Sequence, residues 1–505
     1  MKKFLLFILL VFMAQAALFA GGQAEASADR GSYLAGLGQV IPPDDIHIDS
    51  YINQSDYDYP FPQAGALGII TAAGYNDNGV YLLAGLRGRR EDFSALPPMN
   101  LSFVIDISGS MSSQNKMDWV KESLHIFIER VRPQDYVSLV VFDNVAELLM
   151  KPVNIRTQAD RDHFRQVVNS LRPRGSTNIY AGMEMGFAQA QENLRPDYNN
   201  RVILLTDGMD NASRRTRKEF LDMAELFKDQ GINISTISLG AEADINLMVD
   251  VAIAGGGSSR FISNRTVMEQ TFGSELDRLV VAAARNLRME IALSEGITYR
   301  ETWGYSFWVS GNTIHFTQDT LHNGDYETIL VEVAAERPLA PGTVLGNFFI
   351  SYDDVSGAGH REGPIPIILG REPGGLMADA RVREAEGFLV LARGLIEIGN
   401  RAPELTGLQQ EFSRLRSEAI RAARENSEPG SEVSQITDSP ETAALRLNII
   451  QGLDEILGIV ESLSTYLNTI NDSLGGGKYE AELGILQNYR NSFTRSRNEY
   501  SQENP

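Results

Sequence analysis

VIDISGSMSS, Val104 to Ser113, decides how the rest of the chain is read. An apolar run stops at Asp106, and two serines follow at two-residue spacing, Ser108 and Ser110, with Gly109 between them. In an open parallel sheet, ligands sit outside the carboxyl ends of the strands. A loop placed there aims three oxygens outward without breaking the core. The question is whether the surrounding sequence builds such a sheet.

It does so by alternation. LSFVIDI reads as a strand, and Lys116 to Val131 as a helix with an apolar stripe at Met117, Val120, Leu124, Phe127 and Val131. YVSLVVFD is the next strand, followed by helices around 158–170 and 178–193. RVILLTD is a strand, Arg214 to Lys228 a helix and INISTISLG a strand. A helix near 244–254, a short SRFI strand and a helix over 266–286 close the unit. Strands alternating with helices imply βαβ units, a mostly parallel sheet and helices on both faces. This places Asp207, in RVILLTDG, at a second strand end, and Thr177, in RGSTNIYAG, at a helix entry. An isolated Asp-x-Ser-x-Ser arises often by chance; three pieces in order, each at a strand end or helix start, are specific. Hard oxygens without histidine or cysteine suit Mg²⁺, Mn²⁺ or Ca²⁺ better than zinc or copper. No His or Lys base is visible near these oxygens in the sequence, so the site is expected to bind and not to catalyse. Asp210, in TDGMDN, reads as a loop or cap residue, and Arg174-Gly175-Ser176 as loop geometry ahead of Thr177.

The flanks differ in character. GIITAAGY and VYLLAGLRGR are split by Asn76-Asp77-Asn78-Gly79, a strong hairpin signal, and Leu96-Pro97-Pro98 marks a boundary. Short β-rich runs return at 289–370, including TIHF, ETILVEVA and VLGNFFISY. The expectation is one discontinuous β domain, a sheet or sandwich, formed by 61–98 and 287–372, with the α/β domain of 99–286 inserted. Trp303, Tyr305, Phe307 and Trp308 are expected in its core. Residues 27–60 carry few core signals and read as an N-terminal extension. Residues 373–505 read as a helical bundle. Its first stripe is Leu405, Leu408, Phe412, Leu415, Ala419 and Ala422, and the break at Glu428-Pro429-Gly430-Ser431 ends it. Ser439-Pro440-Glu441 is an N-cap with proline at the first helical position, ahead of a second stripe from Leu445 to Leu467. Gly475-Gly476-Gly477 lacks phosphate-loop spacing and separates a last helix bearing Leu483, Leu486 and Phe493. Residues 497–505 read as a frayed polar tail.

Composition narrows the function. The 505 residues carry a formal charge of −21, which argues against nucleic acid and suits cations or cationic partners. With no cysteine there is no disulfide, thiolate metal site or lipidated cysteine, and six scattered histidines form no HExxH. Lys2 and Lys3 precede FLLFILLVFMAQAALFA and then small residues, the pattern of a signal peptide over 1–26 with cleavage after Ala20 or Ala26. The mature protein is expected in the periplasm, cell envelope or outside the cell.

DISGS, Thr177 in GSTN and Asp207 in TDG resemble the metal-ion-dependent adhesion site of the von Willebrand factor type A family. IDSYINQSDYDYPFP and LPPMNLSFVIDISGSM resemble exported bacterial proteins that carry this domain centrally and are likened to calcium-activated chloride channels. The resemblance implies an α/β, Rossmann-like doubly wound sheet with a divalent ion at its top. It implies Ser108, Ser110 and Thr177 as metal ligands, with Asp106 and Asp207 anchoring and orienting them. It implies a protein partner that supplies an Asp or Glu carboxylate to the metal. The metalloprotease signature of eukaryotic relatives is missing, so proteolysis is not inherited. The alternatives are an accessory subunit of an envelope transport or channel system, a metal-dependent hydrolase, and a scaffold whose metal only staples loops.

Overall fold

The computed structural model describes residues 25–76, 79–90, 97–273, 282–370, 377–425 and 439–501. The leader read at 1–26 lies outside these up to residue 24. By compactness, residues 31–46 and 386–501 form one unit, and residues 25–30 with 47–385 form another.

Helices α1 (Glu25–Gly36) and α2 (Ile48–Ile52) precede a hairpin of β1 (Leu67–Asn76) and β2 (Gly79–Gly88). The hairpin is antiparallel from Leu67↔Gly88 to Asn76↔Gly79; its turn residues Asp77 and Asn78 lie outside the described residues. The α/β region follows: β3 (Met99–Asp106), α3 (Lys116–Arg130), β4 (Tyr136–Phe142), β5 (Ala146–Asn154), α4 (Gln158–Ser170), α5 (Ile179–Glu192), β6 (Asn199–Thr206), α6 (Arg217–Asp229), β7 (Ile232–Leu239), α7 (Ile245–Ala254), β8 (Ser259–Ile262) and α8 (Arg265–Gly273).

The six strands lie in the order β5-β4-β3-β6-β7-β8, parallel except for β5, so the α/β reading holds. Alternation along β3 divides the core. Leu101, Phe103 and Ile105 pack with Met117, Val120, Leu124, Phe127 and Phe164 on one face. Val104 packs with Ile179, Met183, Phe187 and Phe220 on the other. From β3 the chain first adds β4 on one side and later returns to add β6 on the other. The switch point therefore opens between the carboxyl ends of β3 and β6, where a doubly wound sheet leaves a crevice. Helix α5 sits close to the sheet because Gly182 and Gly186 face it. A Cβ on Gly186 would fall 2.3 Å from Cγ2 of Val104, and one on Gly182 would fall 2.6 Å from Phe142.

Two features depart from the sequence reading. Strand β5, AELLMKPVN, was not foreseen. It is an antiparallel edge strand, buried only in part, and lacks a strict apolar alternation. The helix expected over 266–286 ends as α8 at Gly273; 274–281 lie outside the described residues, and Ala282–Asn286 begin a strand. Alanines favour helix by propensity, but Ala284 pairs with Leu321 and Asp354 on either side, and tertiary pairing overrides propensity.

That strand is β9 (Ala282–Leu293), followed by β10 (Ile297–Thr302), β11 (Ser306–Ser310), β12 (Thr313–His322), β13 (Tyr326–Ala335), β14 (Val344–Asp354), β15 (Gly359–Ile368) and β16 (Met377–Ala378). They form two five-stranded sheets, β10-β13-β2-β1-β16 and β11-β12-β9-β14-β15. Leu82, Ala84 and Leu86 from one share a core with Met289, Ile291 and Phe348 from the other. β2 pairs with β13 from Val80↔Val333 to Arg87↔Tyr326, so segments on both sides of the α/β region build a single sandwich. Trp303 is buried, but Phe307 and Trp308 are exposed, against expectation. They stand on β11, an edge strand, where Trp308 stacks on His315.

Residues 47–60 also do more than expected. Tyr51, Ile52, Tyr57 and Tyr59 are buried, Tyr59 bonds Thr328, and its ring fills the space a side chain on Gly85 would need. Short aromatic segments of this kind have no periodicity to betray them.

Helix α9 (Ala380–Glu425), which lies in the other unit from residue 386 onward, runs unbroken through Pro403, and α10 (Pro440–Ser473) and α11 (Glu480–Ser501) follow in that unit. The Ser439 side chain caps α10 by accepting from the Thr442 N–H at 3.2 Å. Gly475, Gly476 and Gly477 all take positive φ, which suits a link between helices and not a phosphate loop. The stripe on α9 holds at Leu405 and Phe412 but runs out to exposed Ala419 and Ala422, and residues 497–501, expected to fray, are helical. The break read at 428–431 lies outside the described residues. No helix among the described residues is long and apolar enough to cross a membrane.

Candidate metal centre

β3 ends at Asp106 and β6 at Thr206, side by side in the sheet. Asp106 is fully buried, and both its oxygens are committed: Oδ1 accepts from the Ser108 N–H at 2.7 Å and Oδ2 from the Thr206 hydroxyl at 2.5 Å. Burial pushes the Asp106 carboxyl up to about 6, against those hydrogen bonds, which pull it down; the charge of Asp207 adds to the rise. Asp106 thus orients the loop.

The hydroxyls continue the chain of oxygens. Ser108 Oγ lies 3.0 Å from Ser110 Oγ, and Ser110 Oγ donates to Asp207 Oδ1 at 2.7 Å. Thr177 arrives from the α5 side. A Cβ built on Gly208 would fall 3.2 Å from Thr177 Oγ1 and 3.9 Å from Ser110 Oγ, so both hydroxyls crowd one glycine. The structure therefore brings all five sequence-predicted residues together. Asp106, Ser108, Thr177 and Asp207 are buried, whereas Gly109, Ser110 and the neighbouring Met209 face solvent. The site is closed below and open at Ser110.

Local chemistry explains why Thr177 is there. Gly175 takes φ +70°, and a Cβ on it would lie 2.8 Å from Asn144 Oδ1. The Ser176 N–H donates to that same oxygen at 2.6 Å, and the Gly109 N–H donates to the Gly175 carbonyl at 3.1 Å. The 174–177 loop is thereby laid along the serine loop. Asn178 caps α5, and Asp210 accepts from the Ile179 N–H at 2.9 Å, which makes Asp210 a cap residue as read from sequence. Asn211 Oδ1 accepts from the Thr177 N–H at 3.0 Å.

One charged group was missed. Sequence reading expected no Lys near these oxygens, yet Lys116 Nζ lies 2.8 Å from Asp207 Oδ2, and both side chains are buried. A signal was present: Lys116 sits four residues before Val120, on the apolar stripe of α3, where a lysine has no place unless it meets a carboxylate.

The donor set is oxygen only, two carboxylates and three hydroxyls. Among the described residues, no group of three or more His, Cys, Asp or Glu suits a metal ion. A hydroxyl-rich site with an open face nonetheless fits a hard divalent cation that keeps positions for water or an outside ligand.

Residues 101–209 match the family model described as the von Willebrand factor type A domain. The chain is 25% identical over 316 residues to the Escherichia coli K12 protein YfbK, across 59% of this chain and 54% of that one. It is 30% identical over 168 residues to calcium-activated chloride channel regulator 1 of Bos taurus, across 32% of this chain and 17% of that one. The chain therefore spans about half the length of the first relative and a smaller part of the second. Among solved structures it is similar to a von Willebrand factor type A protein from Catenulispora acidiphila, at TM-score 0.46 and 15% identity, covering 80% of this chain and 89% of that one. The chain contains a von Willebrand factor type A domain, and Asp106, Ser108, Ser110, Thr177 and Asp207 all lie within its matched span.

Proposed function

We propose that this protein is an exported binding protein whose von Willebrand factor type A domain holds Mg²⁺ or Mn²⁺, with Ca²⁺ the alternative, and uses it to bind an acidic side chain of a protein partner. Domains of this family often bind a divalent metal and often mediate protein–protein interaction or adhesion. The observation that carries the reading is the convergence of five oxygen-bearing side chains from three separate loops, buried on all sides but that of Ser110.

Ser108, Ser110 and Thr177 would hold the ion, and Asp106 and Asp207 would fix their positions. A bound divalent ion supplies a charged coordination point for an outside carboxylate. Asp106 is tied to Thr206 and the Ser108 N–H, and Lys116 is tied to Asp207, so neither is free to act as a base. That supports binding over catalysis.

The test is capture from envelope extract on the immobilised protein, in Mg²⁺, in chelator and with Asp207→Ala. A protein retained by wild type in metal alone supports the bridge. Equal capture in all three lanes would sink it.

A further inference from the structure

The chain spends backbone strain to bring Lys116 to the site. Gln114 (φ 54°, ψ 21°) and Asn115 (φ 60°, ψ 25°) both take the left-handed conformation, immediately before α3. Neither is glycine, and non-glycine residues adopt this region rarely and at a cost. The double left-handed turn drops Lys116 inward at the first position of α3, where its side chain runs past Gly240 at the end of β7. A Cβ on Gly240 would fall 3.2 Å from Lys116 Cε and 3.3 Å from Nζ. The ammonium ends 2.8 Å from Asp207 Oδ2, while Asp207 Oδ1 accepts from Ser110. The two oxygens of Asp207 are thus divided: one faces the hydroxyls, the other is neutralised from behind.

We propose that Lys116 is a built-in counter-ion that lowers the site's own affinity for a divalent cation and leaves charge for an outside carboxylate to supply. This rests on the metal-binding reading above. Both carboxylates that meet here touch a ligand hydroxyl, Asp106 that of Ser108 and Asp207 that of Ser110, and the charge of Asp207 is offset by Lys116. Taken with Lys116, the two carboxylates beside the hydroxyls then carry close to one net negative charge. A fixed positive charge in a poorly solvated site opposes a second cation strongly. The lysine therefore makes metal capture weak without a partner and favoured with one.

The experiment is Mn²⁺ titration of the full-length protein, followed by the electron paramagnetic resonance signal of free Mn²⁺ at fixed pH. Lys116→Met and Lys116→Gln remove the charge, Lys116→Gln keeping a donor for Asp207; Lys116→Arg keeps the charge. The prediction is that both neutral variants bind Mn²⁺ about tenfold or more tighter than wild type, whereas Lys116→Arg stays near wild type. A lysine that only positions Asp207 predicts the reverse, since its loss would loosen the site. Equal or weaker binding by Lys116→Gln, in protein with an unchanged circular dichroism spectrum, overturns the counter-ion role while leaving the metal site standing. Failure of wild type and both neutral variants to take up Mn²⁺ would remove the metal reading itself, and this role with it.

Discussion

Glu327 shows how much a single residue's surroundings decide. It is 5% exposed, and Oε1 accepts from Tyr305 at 2.7 Å and from Asn53 at 3.1 Å, while Oε2 accepts from Gln318 at 3.3 Å. Burial pushes its carboxyl from 4.5 up to about 7, and the charges of Asp49 and Asp325 add to the rise. The unfolded chain titrates near 4.5, so the folded chain binds the proton more tightly. This contribution is fully present below about 4.5 and is lost as pH rises through about 7. Glu327→Gln should therefore leave stability near pH 5 little changed and raise it near pH 8, by up to roughly 3 kcal/mol. Urea unfolding at the two pH values checks this; a larger gain at the lower pH would contradict it. At the metal centre, the same scale separates what sequence reveals from what it hides. The five oxygen residues were legible because each stands in a motif at a predicted strand end or helix start. Lys116 left only an indirect sign, a lysine on the apolar stripe of α3, and Thr206 left none, because it looks like an ordinary strand residue until folding brings it against a carboxylate.

At the scale of elements, periodic segments were legible and irregular ones were not. The buried strands of the parallel sheet and the amphipathic helices α3 to α7 carry apolar patterns long enough to place them. β5 does not, because an edge strand is half-solvated, and β9 does not, because its opening alanines favour helix until paired on both sides. Segment 47–60 holds its buried tyrosines without any repeat. Helix α5 adds a constraint that pattern alone does not show. Its glycines at 182 and 186 let it lie against Val104 and Phe142, and its N-terminus carries Thr177. Gly186→Ala should gain intrinsic helix propensity yet destabilise the protein, by about 1–3 kcal/mol, because the methyl meets Val104 Cγ2. The displaced helix should also weaken Mn²⁺ binding. Thermal unfolding and Mn²⁺ titration of this variant check both; a stabilised protein would show that helix propensity outweighs the close approach.

For the molecule as a whole, the insertion of the α/β region between β2 and β9 follows from strands that pair across more than two hundred residues of sequence, such as Arg87 with Tyr326. Sequence character alone pointed to this, since the two flanks share β-rich runs and turn residues. Their register was beyond it, because register depends on which partner strand is present. The doubly wound order then leaves its crevice between the ends of β3 and β6, and the site occupies that crevice. The central claim is that these five side chains bind a divalent cation. Isothermal titration of Mn²⁺ into wild type, Ser110→Ala and Asp207→Ala tests it most directly. Wild type is expected to show one saturable site that is lost or weakened at least about tenfold in both variants, since Ser110→Ala removes a group that would hold the ion and Asp207→Ala removes the carboxylate that orients it. Equal binding by all three proteins, with each variant folded, would contradict it.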